Sequence, residues 1–223
     1  MYPSNFAASA YPNNRHVSFA QYYRRVAIYN STYSNWDMAL RAISKGLYLE
    51  NNKEIRAHLF ILLSEAFYHK GSYGQAIKVA KIGLSLTCDK QKKATLYLAM
   101  TMPLLEQGFF GTAEACAKNG INWIKDTFNP QIASELYAGL AWSKYKQYRY
   151  KEACDIATKA LNTYSSSLFN HTKANLYMVK IHAAIGLGRK DIIVNVALAG
   201  LRLTTSQYFR NFFLTTLNKC IQQ

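Results

Sequence analysis

The chain has little of what membrane-spanning, disulfide-stapled or secreted proteins need. Its densest apolar run, Leu59–Leu63, is far shorter than the roughly 18 residues of a membrane-spanning helix. The four cysteines include no Cys-x-x-Cys pair, which favours free thiols in a reducing compartment, the cytoplasm. Residues 1–18 lack the apolar core of a secretory signal. We expect a flexible tail there, or an arm that docks on the rest of the chain.

Acidic residues and the motifs of enzymes are also scarce. The sequence has 12 Asp and Glu against 27 Lys and Arg, a formal charge of +15, which favours an acidic partner: nucleic acid, an anionic membrane surface or an acidic protein. It contains no glycine-rich phosphate loop and no His-Glu-x-x-His motif. Glu65 and His69 share a helix face, but His58 lies about 16 Å from His69 along that helix. We therefore predict no catalytic residue, no cofactor and no metal site.

What the sequence does contain is an internal repeat of five helical hairpins. The small residue that opens each second helix recurs at steps of 37, 37, 40 and 40 residues, with Ile193 as the exception in the last copy. An aromatic residue marks each first helix, and glycine or alanine lies later in each second helix. These three series are Ala39, Ala76, Ala113, Ala153 and Ile193; Tyr23, Phe60, Tyr97, Tyr137 and Tyr177; and Gly46, Gly83, Gly120, Ala160 and Gly200. One hairpin cannot bury its own apolar face, so the copies should stack.

The glycines within the second helices carry a further expectation. Glycine inside a helix costs about 1 kcal/mol relative to alanine, yet four of the five copies have one at the same position. A helix C-cap is one explanation. Because leucine or isoleucine follows directly, we instead expect close contact with the first helix of the next copy.

This pattern resembles the tetratricopeptide repeat (TPR) family over roughly residues 19–203. In the second copy the matching residues are Phe60, Ser64, Phe67, Gly71, Tyr73, Ala76, Ala80 and Gly83. The resemblance implies an all-α, right-handed α-solenoid of about five hairpins and a C-terminal capping helix over residues 204–223. The copies fall at about residues 19–52, 53–89, 90–129, 130–168 and 169–203.

Several local features follow from the repeat. The first two helices should cover residues 18–33 and 36–49. Pro103 should kink or interrupt the first helix of the third copy. The capping helix should bury one apolar side and expose a polar one; its apolar residues are Tyr208, Phe209, Phe212, Phe213, Leu217, Cys220 and Ile221.

In the TPR family, ligands usually lie in the concave groove lined by the first helices. The matching groove residues here are Arg24, Ile28, Ile61, Glu65, Tyr68, Leu98, Met102, Leu105, Trp142, Tyr145, Met178 and His182. The family's carboxylate clamp is doubtful, because Ile28, Leu62 and Ala99 replace its polar residues. The apolar lining suits an apolar peptide or an amphipathic helix, and Trp142→Ala should abolish capture without unfolding the protein. Alternatively, the solenoid buries part of this lining against itself or the tail.

A second candidate surface is basic. Cations near the turns between first and second helices should align as a solvated ridge when the copies stack. The ridge residues are Lys70, Lys144, Lys146, Arg149, Lys151, Arg189 and Lys190. Such a ridge suits phosphates or carboxylates, although an ordinary solvated turn explains the same residues.

The sequence thus predicts a non-catalytic protein-interaction module that binds an apolar peptide or amphipathic helix of another protein. It could serve as an adaptor, an assembly subunit or a chaperone. Two alternatives remain open: a subunit that binds nucleic acid or an acidic surface through the basic ridge, and a homo-oligomeric scaffold.

Overall fold

A computed structural model of the chain describes residues 19–127, 129–164 and 169–222. Within these ranges the structure is all-α, as predicted, with eleven helices and no strand. The predicted N-terminal tail, residues 1–18, lies outside the described residues. The helices are α1 (Phe19–Thr32), α2 (Trp36–Leu49), α3 (Lys53–His69), α4 (Tyr73–Leu86), α5 (Lys90–Glu106), α6 (Phe110–Ile124), α7 (Pro130–Lys146), α8 (Tyr150–Tyr164), α9 (Asn170–Gly186), α10 (Lys190–Leu203) and α11 (Gln207–Ile221).

Consecutive helices pair as the repeat predicted. Helices α1 and α2 lie within a residue of the predicted bounds. The contacts divide the chain into two compact units, with the boundary between Asn51 and Asn52. The first unit contains the hairpin α1–α2, and the second contains α3 to α11. No helix in the described ranges is long and apolar enough to cross a membrane.

The same backbone turn closes all five hairpins. One residue in each turn is left-handed: Ser34 (φ 57°), Gly71 (φ 73°), Gly108 (φ 81°), Tyr148 (φ 61°) and Gly188 (φ 67°). Its N–H donates to the carbonyl three residues back, and the next N–H donates to the carbonyl five residues back. This hydrogen-bond pair is the Schellman motif that satisfies the last carbonyls of a helix. Gly71 and Gly108 take this conformation without steric cost, because glycine has no Cβ.

Polar side chains start three of the first helices, α3, α5 and α7. The Asn52 side chain accepts hydrogen bonds from the N–H groups of Glu54 (2.9 Å) and Ile55 (3.2 Å). Asp89 likewise accepts the N–H of Lys92, at 2.7 Å, at the start of α5. These caps satisfy N–H groups that have no partner within the helix, so the start of each of these helices is encoded locally.

The glycines in the second helices allow close approach of the next repeat, as predicted. A Cβ at Gly83 would lie 2.8 Å from Leu96 Cδ2 and 2.9 Å from Phe60 Cβ. A Cβ at Gly120 would lie 2.5 Å from Leu136 Cδ2. The C-cap alternative is wrong for both, because α4 continues to Leu86 and α6 to Ile124. The leucines Leu96 and Leu136 are fully buried, so this contact is part of the core between repeats.

Within the second unit, the first helices form the inner row. Helix α3 packs on α5, α5 on α7, and α7 on α9, whereas no two described second helices pack on each other to a comparable extent. The first helices, which contact each other, therefore lie closer together than the second helices. The stack therefore curves with α3, α5, α7 and α9 on its inner side.

The predicted interruption at Pro103 does not occur. Helix α5 runs through Pro103 and ends three residues later, at Glu106. A proline removes the hydrogen bond to the carbonyl four residues back, which costs less in the last turn because few residues follow. Pro103 is fully buried, and its own carbonyl accepts the N–H of Gln107 at 3.1 Å.

Helix α11 differs in part from the predicted capping helix. Phe213 follows Leu176 by 37 residues and packs on Gly200 as Leu96 packs on Gly83, so α11 takes the place of a further first helix. Phe209 and Phe213 are buried as expected. Tyr208 and Ile221 are not: they are 67% and 78% exposed, because in this position only one side of α11 meets α9 and α10.

Candidate functional site

The predicted groove residues lie on α1, α3, α5, α7 and α9 and differ in exposure. In the first unit, Ile28 is 40% exposed and Arg24 is half-buried, with no hydrogen-bond partner for its Nε among the described residues. In the second unit Glu65 is exposed. The half-buried members are Ile61, Tyr68, Leu98, Met102, Trp142, Tyr145, Met178 and His182.

Leu105 is not a groove residue, contrary to prediction. It is 8% exposed and belongs to a core cluster with Met100, Leu104 and Ala113. Trp142 packs against this same cluster. The last turn of α5 is therefore covered by α7, which removes Leu105 from the accessible lining.

An aromatic cluster joins the inner faces of α7, α9 and α11. The Trp142 Nε1–H donates to Asn175 Oδ1 at 3.1 Å. The His182 ring lies 5.5 Å from Trp142, 5.4 Å from Tyr145 and 5.1 Å from Phe212, between ring centroids. These contacts hold neighbouring helices together, so Trp142→Ala should also weaken packing, contrary to the sequence-based expectation that folding would be left intact.

Phe212 was not predicted as part of the inner face. The sequence pattern predicted a capping role for it, although its spacing from the earlier first helices matches the repeat. Phe212 is 37 residues after Asn175, which accepts the hydrogen bond from Trp142 in the inner row. That register is the signal that identifies Phe212.

Two acidic side chains of the inner row, Glu65 on α3 and Glu135 on α7, have raised pKa values. Although Glu65 is open to solvent on one side, desolvation by the surrounding helices raises its pKa, and the nearby charge of Glu135 raises it further. Burial also raises the pKa of Glu135, against a hydrogen bond from Gln131 that lowers it. Further along the row, burial lowers the pKa of His182 and the positive charge of Lys146 adds to this. The inner row thus has acids on α3 and α7 and an imidazole beside a lysine towards α11.

The basic ridge is only partly present. The prediction that Lys144 is a solvated ridge residue is wrong. Lys144 is 4% exposed rather than solvated. Its Nζ lies 2.7 Å from Glu114 Oε1 and 3.2 Å from Glu152 Oε2. The reason is its register: Lys144 occupies the helix position that Leu104 occupies in the preceding copy, which faces the core.

Two further ridge cations are exposed but already paired. Arg149 donates to both carboxylate oxygens of Glu152, at 2.6 and 2.7 Å. Arg189 donates to both oxygens of Asp191, at 2.8 and 2.7 Å. The remaining ridge residues, which are exposed, are Lys70, Lys146, Lys151 and Lys190.

The Glu114 carboxylate is the centre of this ion network. Burial alone would raise its pKa, but hydrogen bonds from Lys118, Lys144 and Gln147 lower the pKa of Glu114 to about 2. Glu114 therefore stays ionised at any pH near neutrality and stabilises the buried Lys144 ammonium group.

The described residues contain no cluster of three or more His, Cys, Asp or Glu side chains that could hold a metal ion. The cysteines are free: Cys154 is buried, Cys116 and Cys220 are half-buried, and Cys88 is exposed.

Comparison with known proteins identifies the fold. No protein-family model matches the chain, and no curated protein matches it in sequence. Among solved structures, a chain of the APC/C hetero-tetramer Cut9–Hcn1 aligns with TM-score 0.74 and 17% identity, over 90% of this chain and 36% of that one. This chain therefore spans about a third of the length of that chain. TTC0263, a thermophilic TPR protein in Thermus thermophilus, aligns with TM-score 0.65 and 13% identity over 89% of this chain and 98% of that one.

A third similar structure is MamA from Desulfovibrio magneticus RS-1, with TM-score 0.61 and 14% identity over 85% of this chain and 98% of that one. At these identities the likeness concerns the fold. The chain has the fold of a tetratricopeptide repeat protein, an all-α helical-repeat solenoid, which confirms the resemblance seen in the sequence.

Proposed function

We propose that the chain is a non-catalytic protein-interaction module that holds an apolar peptide or amphipathic helix of another protein against its inner row of helices. The observation that supports this is a row of half-buried apolar side chains on consecutive first helices. They are Ile61 and Tyr68 on α3, Leu98 and Met102 on α5, Trp142 and Tyr145 on α7, and Met178 on α9. An amphipathic helix binds in such a row through side chains spaced one turn apart.

The chemistry of this row favours an adaptable apolar contact. Methionine side chains are flexible and polarisable, so they can repack around different partners. One structural neighbour is a chain of a hetero-tetramer, and we extend an assembly role of that kind to this chain. An adaptor, an assembly subunit and a chaperone would use the same surface.

The test compares the inner row with the outer helices. Peptides are selected from a random phage-displayed library of 12-residue sequences against the wild-type protein, and their affinity is measured by fluorescence polarisation. The inner variant is Met102→Glu with Met178→Glu. The matched control is Ile82→Glu with Leu198→Glu, which adds the same charges at apolar side chains that are 41% and 42% exposed on α4 and α10.

We expect the inner variant to bind selected peptides at least about tenfold more weakly, because each glutamate must be desolvated against an apolar ligand. The control variant should bind like the wild type. Equal losses in both variants, or no loss in an inner variant whose circular dichroism is unchanged, would contradict the proposal. An oligonucleotide that binds the wild type with an affinity that falls with log[salt], by about 0.9 per phosphate contacted, would favour the nucleic-acid alternative.

A further inference from the structure

A cavity of about 610 Å³ lies between the end of the α9–α10 hairpin and α11. This volume is typical of ligand pockets, which span roughly 300–1,000 Å³. It opens beside the aromatic cluster, because His182 and Phe212 both line it. The residues that set its chemistry are His182, Ile185, Lys190, Ile193, Phe212 and Lys219.

The floor of this cavity is apolar and partly uncovered. Ile193 is 5% exposed and Phe212 is half-buried, whereas Ile185 is 53% exposed. An isoleucine that remains half in water at the edge of an apolar floor gains free energy when another apolar side chain covers it. The cavity therefore fits one large apolar side chain of a partner.

The charges around the cavity have one sign. Among the residues that the structure describes, no Asp or Glu lines it. Neither Lys190 nor Lys219 forms an ion pair with any described carboxylate, unlike Lys144, Arg149 and Arg189. Both lysines are exposed. The neutral groups Asn211 and Thr215 also line the cavity and can hydrogen-bond a polar backbone.

We propose that this cavity receives an acidic–apolar segment of the partner protein. A large apolar side chain of the segment covers Ile185 and Phe212, and flanking carboxylates pair with Lys190 and Lys219. This deepens the proposed function, on which it rests, because the cavity continues from the inner row through His182.

The charge pattern also sets the direction of the ligand. Glu65 on α3 and Glu135 on α7 repel an acidic segment along the inner row, whereas Lys190 and Lys219 beside α11 attract it. A segment with one acidic end and one basic or neutral end would therefore bind with its acidic end beside α11.

The experiment uses the same selected 12-residue peptides and synthetic copies of them with Gln in place of Asp and Glu. We expect the selected peptides to carry acidic residues next to Leu, Ile, Phe or Trp. Lys190→Glu with Lys219→Glu should weaken binding about tenfold and abolish the preference for the acidic copy. The matched control, Lys53→Glu with Lys78→Glu on α3 and α4, makes the same charge change far from the cavity and should bind like the wild type.

Ile185→Ser should also weaken binding, while Ile185→Leu should retain it; the exposure of this side chain keeps both variants folded. Selected peptides without acidic residues, or equal losses in the two lysine variants, would overturn the inference. If only the inner variant, Met102→Glu with Met178→Glu, loses binding, the proposed function stands and the cavity inference is wrong. If only the variant of Lys190 and Lys219 loses binding, the segment binds in the cavity, and its proposed placement on the inner row is wrong.

Two other occupants give distinct results that would also overturn the inference. A second copy of the chain would appear as a dimer in light scattering that Ile185→Ser dissociates. A lipophilic anion would appear in native mass spectrometry as a bound mass that the variant of Lys190 and Lys219 lacks.

Discussion

The third and fourth hairpins close with the same backbone turn, although two matching positions at that turn carry very different residues. Leu104 and Gly108 in the third correspond to Lys144 and Tyr148 in the fourth. The turns are nonetheless the same: the N–H of Phe109 donates to the Leu104 carbonyl at 2.9 Å, and the N–H of Arg149 donates to the Lys144 carbonyl at 3.0 Å. The hairpin geometry therefore follows from features that both copies share, the buried small residues and the packing around them.

One residue on the helix that precedes each hairpin explains why the buried Lys144 is stable in the fourth hairpin. Ile77 on α4 packs on the cluster that contains Leu104. At the same register, α6 presents Glu114 to Lys144 on α7. A buried charge is stable only when it is paired, so the apolar contact between one pair of repeats and the ionic contact between the next are two solutions to the same packing problem. Each solution needs both partners.

The largest effect is expected when one partner of the ionic contact is removed. Glu114→Leu leaves the Lys144 ammonium group buried with Glu152 as its remaining partner, so we expect a loss of about 3 kcal/mol of unfolding free energy. Urea unfolding followed by circular dichroism measures it. The double variant Glu114→Leu with Lys144→Met copies the apolar contact of the preceding repeats and should return to within about 1 kcal/mol of the wild type. A double variant as unstable as the single one would show that the ion pair has no apolar equivalent here.

The second-largest effect is expected from acid, which should weaken the ionic contact but not the apolar one. The pKa of Glu114 in the folded protein is about 2, below the value of about 4.3 for glutamate in an unfolded chain. The unfolded chain therefore binds more protons between these values, and the stabilisation by this carboxylate, complete above about pH 5, is lost as the pH falls towards 2. We expect the urea midpoint to fall more between pH 6 and pH 3 in the wild type than in the Glu114→Leu, Lys144→Met variant. Equal falls would mean that Glu114 is not held ionised by its partners.

The smallest effect concerns the two turns. Tyr148 has φ 61° and is 79% exposed, and a non-glycine residue in this conformation costs about 1–2 kcal/mol. Glycine has a larger entropy in the unfolded chain, so Tyr148→Gly should stabilise by only about 0.5 kcal/mol. Gly108→Tyr should destabilise by about 1 kcal/mol. Tyr148→Phe keeps the conformation and serves as the control. If Tyr148→Gly destabilises instead, the tyrosine ring contributes contacts that outweigh the backbone strain.

Much of the fold could be predicted, and less of the candidate site. The bounds of α2, the turn at Gly71 and the close approach at Gly83 were visible because each depends on local propensity or on a residue that recurs at fixed spacing. The site was harder. Lys144 looked like a turn lysine until its partner Glu114, on another helix, was known. Leu105 looked accessible until α7 covered it.

The sequence by itself determined the repeat, the helices and their turns, because periodic apolar residues and recurring small residues leave one way to stack the hairpins. Only the tertiary structure decided which cations are paired, that Trp142, His182 and Phe212 meet, and that a cavity opens beside α11. These features depend on which side chains of neighbouring helices face each other, some 30 to 40 residues apart in the chain. A periodic pattern specifies the stacking, whereas the pairing of charges and rings follows from side-chain positions that the pattern does not encode.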